Sequence, residues 1–410
     1  MLEAQGAAVR AAAEALRSAP TTVKDAALRA GAAALRDRRA AVLAANAVDV
    51  AAAGAASMAA SGIDRLVLDD ARIESMAAGL EAVAALPDPV GEVVDGSVRP
   101  NGLRVERVRV PLGVVAVIYE NRPNVTSDAA GLCLKAGNAA FLRGSSSAQT
   151  TNLEVVAALC EGLADAGLPK AAVSLVEDTS HEAGIAFLQL RGVIDCLIPR
   201  GGRGLLAAIR EHATVPYVLD GDGNCHVYVD DTADLAMARG IIVNAKTSRP
   251  GVCNAAETLL VHRDVAARLL PEVASAMPSV ELRGDDATRA LVPGASAATD
   301  EDYATEFLDL VLAVRVVDSL DAAIAHVATY SSGHSEAIVT GSVAAADRWV
   351  REVDAAAVVV NASTRFVDGE QLGLGAEVGI STQKLHARGP MGLRELTCVR
   401  WVLRGEGQIR

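Results

Sequence analysis

The chain lacks any apolar run near the roughly 20 residues needed to cross a bilayer, which excludes a helical membrane protein. Its first residues, Met1-Leu2-Glu3-Ala4-Gln5, show no basic region followed by a hydrophobic stretch, so no signal peptide is expected. The six cysteines (Cys133, Cys160, Cys196, Cys225, Cys253 and Cys398) form no CxxC pair, and none stands beside histidines at zinc spacing. Neither a metal site nor a disulfide framework is expected; free thiols in a reducing cytoplasm fit better. Positive charge is also short: 38 Lys and Arg face 51 Asp and Glu, for a net charge of −13. That balance disfavours nucleic acid and anionic membranes as partners, though not a small anion in a local cationic pocket. Internal repeats and long low-complexity tracts are absent.

What remains is a soluble globular composition, 51% hydrophobic and 22% charged. At 410 residues, two or more domains are expected. From about 7 to 85 the sequence reads as helices, with apolar Val23, Ala27, Leu28, Ala34 and Leu35 at helical spacing and Thr21 or Thr22 as N-cap. Pro87, Pro89 and Gly91 close this region.

Residues 103–110 then alternate apolar and charged, as a half-exposed strand would. Residues 396–403 repeat that pattern, and the two could pair or bridge subunits. From Val114 the rhythm becomes strand, helix, strand. Strands are predicted at 114–119, 139–143, 173–176 and 193–198, with helices at about 127–135, 148–167 and 180–190. A second α/β region starts near Gly240, with strands at 258–261, 311–314, 336–339 and 357–360. Residues 284–301 read as a mobile polar loop. The fold class is therefore α/β, with doubly wound parallel sheets.

Ligands in such sheets sit at the carboxyl ends of the strands. Those ends carry Glu120-Asn121-Arg122-Pro123-Asn124, Arg143-Gly144-Ser145-Ser146-Ser147 and Pro199-Arg200-Gly201-Gly202-Arg203-Gly204. Small residues let phosphates approach backbone N–H groups, and arginine matches phosphate oxygens. A G-x-G-x-x-G motif is missing after the first strand. Farther on, Ser248-Arg249-Pro250-Gly251-Val252-Cys253-Asn254 places one thiol beside a cation at the expected start of a helix. There a partial positive charge favours the thiolate nucleophile. A buried, inert cysteine is the competing reading.

Several motifs coincide with one family. Residues 113–126 (Gly-Val-Val-Ala-Val-Ile-Tyr-Glu-Asn-Arg-Pro-Asn-Val-Thr), Lys135-Ala136-Gly137-Asn138, Leu142-Arg143-Gly144 and Ile198-Pro199-Arg200-Gly201-Gly202 closely resemble signatures of the gamma-glutamyl phosphate reductases, of the aldehyde dehydrogenase superfamily. So do residues 219–226, Asn244-Ala245-Lys246 through Cys253-Asn254, and 385–393. The resemblance runs from about residue 40 to the C-terminus.

It implies an NADP-binding domain (1–98 and 114–240, with part of 365–390), a catalytic cysteine domain (241–364) and oligomerisation strands (99–113 and 391–410). It also implies a homo-oligomer that reduces L-glutamyl 5-phosphate with NADPH in cytoplasmic proline biosynthesis, with glutamate 5-kinase a candidate transient partner. Cys253 matches the family nucleophile, and Asn121 matches the carboxamide that donates to the oxyanion. Arg143, Gly144, Ser145, Ser146, Pro199, Arg200, Gly201, Gly202 and Glu306 match cofactor positions. Arg122, Lys246 and Arg249 are candidate cations for the substrate phosphate. Arg365, Lys384 and Arg388 are candidates for its α-carboxylate.

Hydrolytic relatives carry a general-base glutamate where Leu219 aligns here, and a shifted substitute at Asp220 or Asp222 is the less favoured reading. Loss of that base spares a thioester from water. A hydrolytic semialdehyde dehydrogenase of the same fold stays open as an alternative, as does a non-catalytic protein that kept the fold.

Overall fold

The computed structural model describes residues 2–219 and 221–410, except for the side chains of Ser61 and Arg203. The chain divides into two units: Met1–Leu219 with Leu374–Gly379 and Met391–Arg410, and Asp220–Gly373 with Ile380–Pro390.

The first unit opens with five helices, Leu2–Leu16, Thr21–Asp37, Arg39–Ala55, Ala60–Leu66 and Asp70–Ala85. Alanine dominates them because it loses least on entering a helix and lets helices approach. A Cβ on Gly162, in helix Gln149–Asp165, would lie 2.3 Å from the Gly31 nitrogen, so that helix and Thr21–Asp37 meet backbone to backbone. The N-cap expected at Thr21 or Thr22 is Pro20, with no side-chain cap. Proline already fixes the extended φ that the position needs.

Six strands follow: β1 (Val93–Val98), β2 (Arg104–Pro111), β3 (Val114–Tyr119), β4 (Ala139–Arg143), β5 (Val173–Leu175) and β6 (Cys196–Arg200). The last four form a parallel sheet in the order β5-β4-β3-β6. All six residues of β3 are buried, the continuous apolar run of a strand covered on both faces. The chain reverses its direction of winding between β3 and β6, which puts the ligand crevice of the doubly wound rule at their carboxyl ends.

The second unit holds β7 (Cys225–Val229), β8 (Ala256–His262), β9 (Glu281–Gly284), β10 (Ser296–Ala297), β11 (Val311–Val317), β12 (Ser335–Val339) and β13 (Ala357–Val360), and then the short pair β14 (Ile380–Ser381) and β15 (Gly389–Pro390). Seven of these make one parallel sheet, β10-β9-β11-β8-β7-β12-β13. One face packs Val227, Leu259, Val314 and Val339 against helices Leu235–Thr247 and Arg263–Ala276. The other face stacks Tyr228 on Trp349 at 5.7 Å.

The organisation expected from sequence needs three corrections, two of domain boundaries and one of a loop. The second unit starts near 220, not 240, because β7 pairs with β8 and β12. Residues 365–373 and 380–390 join the second unit, and only 374–379 fall in the first. The stretch 284–301 is not a loop: helix Asp286–Leu291, β10 and helix Asp300–Tyr303 occupy most of it. Its polar residues are helix caps, with Asp285 accepting from Thr288 and a Thr299/Asp302 capping box.

Finally, β16 (Thr397–Arg404) lies antiparallel on β2, and β1 covers the other side of β2. The two alternating segments therefore pair within the chain, and 93–98 belongs with them. Val98, Trp401 and Leu403 stay exposed on this three-stranded sheet. Among the described residues, no helix is long and apolar enough to cross a membrane.

Candidate active site

In the first unit the polar loops follow the carboxyl ends of β3, β4 and β6. Glu120 and Asn121 come directly after β3. The Asn121 Oδ1 accepts from the Ser145 hydroxyl at 2.9 Å and from the Ser147 hydroxyl. Its Nδ2 faces the Met58 sulfur at 3.6 Å. Ser145 and Ser147 flank the start of the 3₁₀ turn Ser146–Ala148, and Ser146 is exposed. Ser145, expected at the cofactor, donates to Asn121.

Arg143 ends β4. Its Nη2 donates to the Ser180 carbonyl at 2.8 Å and the Thr179 carbonyl at 3.3 Å, while Nε is buried without a partner. Burial holds its pKa below the usual arginine value, with Asp178 opposing. A Cβ on Gly184 would lie 2.9 Å from Arg143 Nη2, so this glycine makes room for the guanidinium.

Glu120 Oε2 accepts from the Gly202 N–H at 3.0 Å, across the β3/β6 crevice and at the start of helix Arg203–His212. The carboxylate occupies the donor that sequence reading gave to a cofactor phosphate, as the helix N-terminus favours. Gly201 is small for the same reason, since its Cβ would come 2.8 Å from Glu120 Cδ. Gly144 is small because of Asn152, whose Nδ2 would be 2.2 Å from an added Cβ. Pro199 is buried in β6, at the edge of its sheet, where a missing N–H costs least. Arg122 and Arg200 are half-buried in this unit.

In the second unit Cys253 is half-exposed, in the turn between helix Leu235–Thr247 and β8. It does not begin a helix. Helix Leu235–Thr247 precedes it, and Pro250 and Gly251 carry the chain away into β8, so the sulfur does not sit at the N-terminus of a following helix. A cation does lie near it. Arg365 lies close enough for Arg249 and Cys253 to bias its charge in opposite directions. Arg365 Nε donates to Ser248 Oγ at 3.2 Å, and Nη1 donates to Asn254 Oδ1.

Backbone packing fixes the turn. Cys225 Sγ donates to the Cys253 carbonyl at 3.1 Å, and Thr364 Oγ1 donates to the Asn254 carbonyl at 2.7 Å. Asn254 Nδ2 reaches the Val367 carbonyl at 2.9 Å. A Cβ on Gly223 would stand 1.7 Å from the Cys253 oxygen, so only glycine fits there. The Gly223 N–H donates to Glu306 Oε1 at 2.7 Å, which ties Glu306 to the same turn.

Lys246 is not available to a substrate phosphate. It is fully buried, with Nζ 2.6 Å from Glu257 Oε2. Glu257 Oε1 accepts from the Leu308 N–H at 3.1 Å, where Leu308 holds φ +54. Burial pushes the Glu257 carboxyl up to about 7, against the pull of Lys246. Lys384 and Arg388 both pair with Asp354, the latter at 2.8 Å, while Arg365 reaches the Cys253 turn through Ser248 and Asn254.

His226 is buried, with Nδ1 3.0 Å from Glu336 Oε2. Leu219 is buried too, Asp222 is half-buried, and Asp220 lies outside the described residues. His262 forms an acidic group with Asp231 and Asp264, but its Nδ1 already accepts from the Asp264 N–H at 3.3 Å as a helix cap. All six cysteines are free. Burial raises Cys133, Cys160, Cys196 and Cys225, with Cys196 pushed up to about 12.

Sequence reasoning missed Ser147, Met58, Gly223, Cys225 and Thr364. The run of three serines was the one visible signal. The others act through backbone or sulfur contacts that no spacing reveals.

Residues 2–308 match the aldehyde dehydrogenase family model. A gamma-glutamyl phosphate reductase of Heliobacterium modesticaldum is 55% identical, covering 100% of this chain and 99% of the relative. The corresponding Moorella thermoacetica protein is 53% identical, over 100% of this chain and 98% of its own length. The crystal structure of gamma-glutamyl phosphate reductase from Thermotoga maritima superposes with a TM-score of 0.98 at 47% identity, covering 100% of this chain and 99% of that one. An acetylating aldehyde dehydrogenase from Geobacillus thermoglucosidasius shares the fold at a TM-score of 0.69 and 18% identity, over 100% of this chain and 97% of that one. The chain belongs to the aldehyde dehydrogenase family, and within it to the gamma-glutamyl phosphate reductases.

Proposed function

We propose that the protein reduces L-glutamyl 5-phosphate to L-glutamate 5-semialdehyde and phosphate with NADPH, in proline biosynthesis, through a thioacyl intermediate on Cys253. The observation that carries this reading is the Cys253 turn: a half-exposed thiol near Arg365, which Arg249 also neighbours, locked by Gly223, Cys225 and Thr364.

The Cys253 thiolate attacks the acyl phosphate carbonyl. The C–S bond forms, and the C–O bond to phosphate breaks with its electron pair. Arg249 and Arg365 supply the charge that favours both the thiolate and the departing dianion. NADPH, when bound, supplies the hydride that reduces the thioester carbon. Collapse of the resulting alkoxide breaks the C–S bond, returns the thiolate and frees the aldehyde. Negative charge develops on the carbonyl oxygen in both halves of the reaction. Asn121 Nδ2 and the Cys253 N–H are the assigned donors to it. A leucine at 219, where hydrolytic relatives have a base, leaves water unactivated.

Arg143 suits the cofactor's 2′-phosphate, because its buried Nε lacks a partner and its planar fork binds phosphate bidentately. Exposed Ser146 and Glu306 join it as cofactor contacts. The exposed Val98, Trp401 and Leu403 of the β1-β2-β16 sheet support association with a second copy of the chain. Glutamate 5-kinase is the candidate transient partner, and the setting is cytoplasmic.

The test is the reverse reaction, with glutamate 5-semialdehyde, NADP and phosphate, followed by absorbance of the reduced cofactor. Wild type should require phosphate, and Cys253→Ser should be inactive. Arg365→Ala should lose roughly 10- to 100-fold in kcat/KM for phosphate, as a charge-assisted contact does. Turnover without phosphate, or full activity in Cys253→Ser, would overturn the reading.

A further inference from the structure

We infer that Ser145 and Ser147 are positioning residues: they fix the amide of Asn121 so that its NH₂, and not its oxygen, faces the developing oxyanion. The inference rests on the reading of Asn121 as an oxyanion donor.

A carboxamide is pseudo-symmetric, and turned by half a rotation it would present oxygen where a donor is required. Something must therefore hold it. Three short contacts link the group: Ser145 Oγ to Asn121 Oδ1 at 2.9 Å, Ser147 Oγ to the same oxygen, and Ser145 Oγ to Ser147 Oγ at 2.7 Å. Two hydroxyls carry two hydrogens for these three contacts. However the hydrogens are shared within the triangle, at least one points at Oδ1 and at most two do.

The opposite side of the amide meets the Met58 sulfur at 3.6 Å. A thioether accepts weakly and donates nothing. With the amide reversed, oxygen would face sulfur with no hydrogen between them. With the amide as found, one N–H leans on a soft, weak acceptor that a substrate oxyanion readily outcompetes. The hydroxyls, which can donate or accept, hold the amide in place, and the Met58 thioether, which cannot donate, makes the orientation with NH₂ toward sulfur the favoured one without consuming the donor.

This moves Ser145 from the cofactor to the oxyanion donor and brings in Ser147. The two assignments predict different kinetics. A cofactor contact, when removed, raises the KM and Kd for NADPH and leaves kcat nearly intact. A positioning contact, when removed, lowers kcat and leaves cofactor affinity unchanged.

The experiment uses the full-length enzyme with Ser145→Ala, Ser147→Ala, the double variant, Asn121→Ala, and the double variant combined with Asn121→Ala. NADPH affinity is read by fluorescence titration, and folding by thermal melting. Asn121→Ala should lose about 10²- to 10³-fold in kcat, as removal of one oxyanion donor does. The double serine variant should lose about 10-fold or more in kcat, with the NADPH Kd changed less than about twofold, and should add nothing once Asn121 is gone.

If Asn121→Ala is impaired while the double serine variant keeps wild-type kcat, the positioning role is wrong and the oxyanion reading stands. If the double variant weakens NADPH binding at constant kcat, the serines belong to the cofactor. If Asn121→Ala is itself fully active, the oxyanion reading fails and the positioning role with it. Should the double variant not fold, the two single variants carry the same comparison.

Discussion

The two units place their working residues at opposite ends of their sheets. In the first unit Asn121, Arg143 and Gly202 follow β3, β4 and β6, at the carboxyl ends where doubly wound sheets usually bind ligands. In the second unit Gly223, Cys253 and Glu306 precede β7, β8 and β11 and so lie at the amino ends. The carboxyl ends at the β7/β12 switch point are filled by the chain itself. Asp230 accepts there from Thr340 Oγ1 at 2.7 Å and Thr232 Oγ1 at 2.9 Å, and Asn361 accepts from the Thr340 N–H at 2.9 Å. The winding rule therefore locates a crevice but does not oblige a sheet to use it.

The two ends are also held differently. Around Asn121 the contacts are side chain to side chain, from hydroxyls and a thioether. Around Cys253 they reach the backbone, through Gly223, Cys225 and Thr364 and over the buried Lys246–Glu257 pair. Substitutions near Cys253 should therefore act in large steps, and those near Asn121 in graded ones.

Four experiments would break or sharpen that contrast. The largest effect should come from Lys246→Ala, which strands Glu257 with no exposed surface. Breaking a buried pair costs about 3–5 kcal/mol, read by denaturant unfolding. A cost below 1 kcal/mol would mean the pair supports nothing. Next, Gly223→Ala drives a methyl group into the Cys253 carbonyl. A displacement of that size should lower kcat by about 10²-fold in the steady-state assay, and near-wild-type activity would show that the turn is loose.

The third concerns acid. Burial holds His334 down at about 4 and His326 at about 3, the latter with help from His226. Both lie below the ordinary histidine value near 6.5, so the folded protein binds these protons less readily than the unfolded chain. Their stabilisation is complete above pH 6.5 and falls away as the pH drops toward 4, approaching about 1.4 kcal/mol per pH unit for each histidine. Thermal melts across that range should be flatter in His334→Gln, and an unchanged slope would place the acid sensitivity elsewhere. The smallest effect belongs to the first unit. Glu120→Gln removes the charge that caps helix Arg203–His212, so NADPH should bind about two- to fivefold tighter by titration if Glu120 competes with a cofactor phosphate.

The parallel strands were legible because apolar runs such as 114–119 and 311–314 admit few other readings. Cys253, Asn121 and Arg143 stand out in the sequence because the motifs that hold them are long. Less visible was β7, since Cys225-His226-Val227-Tyr228-Val229 mixes a buried histidine into its core face. The helix expected after Cys253 failed because the real helix ends at Thr247, and the segment Ser248–Gly251 reads as a start or a stop with equal ease. Lys246 looked like a phosphate cation because charge in a sequence carries no record of its partner. Glu257, which neutralises it, lies 11 residues away across a turn.

The six free thiols make the protein a clean target for covalent probes. Burial keeps Cys133, Cys196 and Cys225 out of reach and raises their pKa, and Cys160 is half-buried and shifted the same way. Cys398 is exposed on the outer sheet and Cys253 is half-exposed in its turn. With Cys398 and Cys160 both replaced by serine, the time course of alkylation by a small electrophile becomes a record of Cys253. Each ligand that slows it reports its own occupancy at that thiol, with no turnover required.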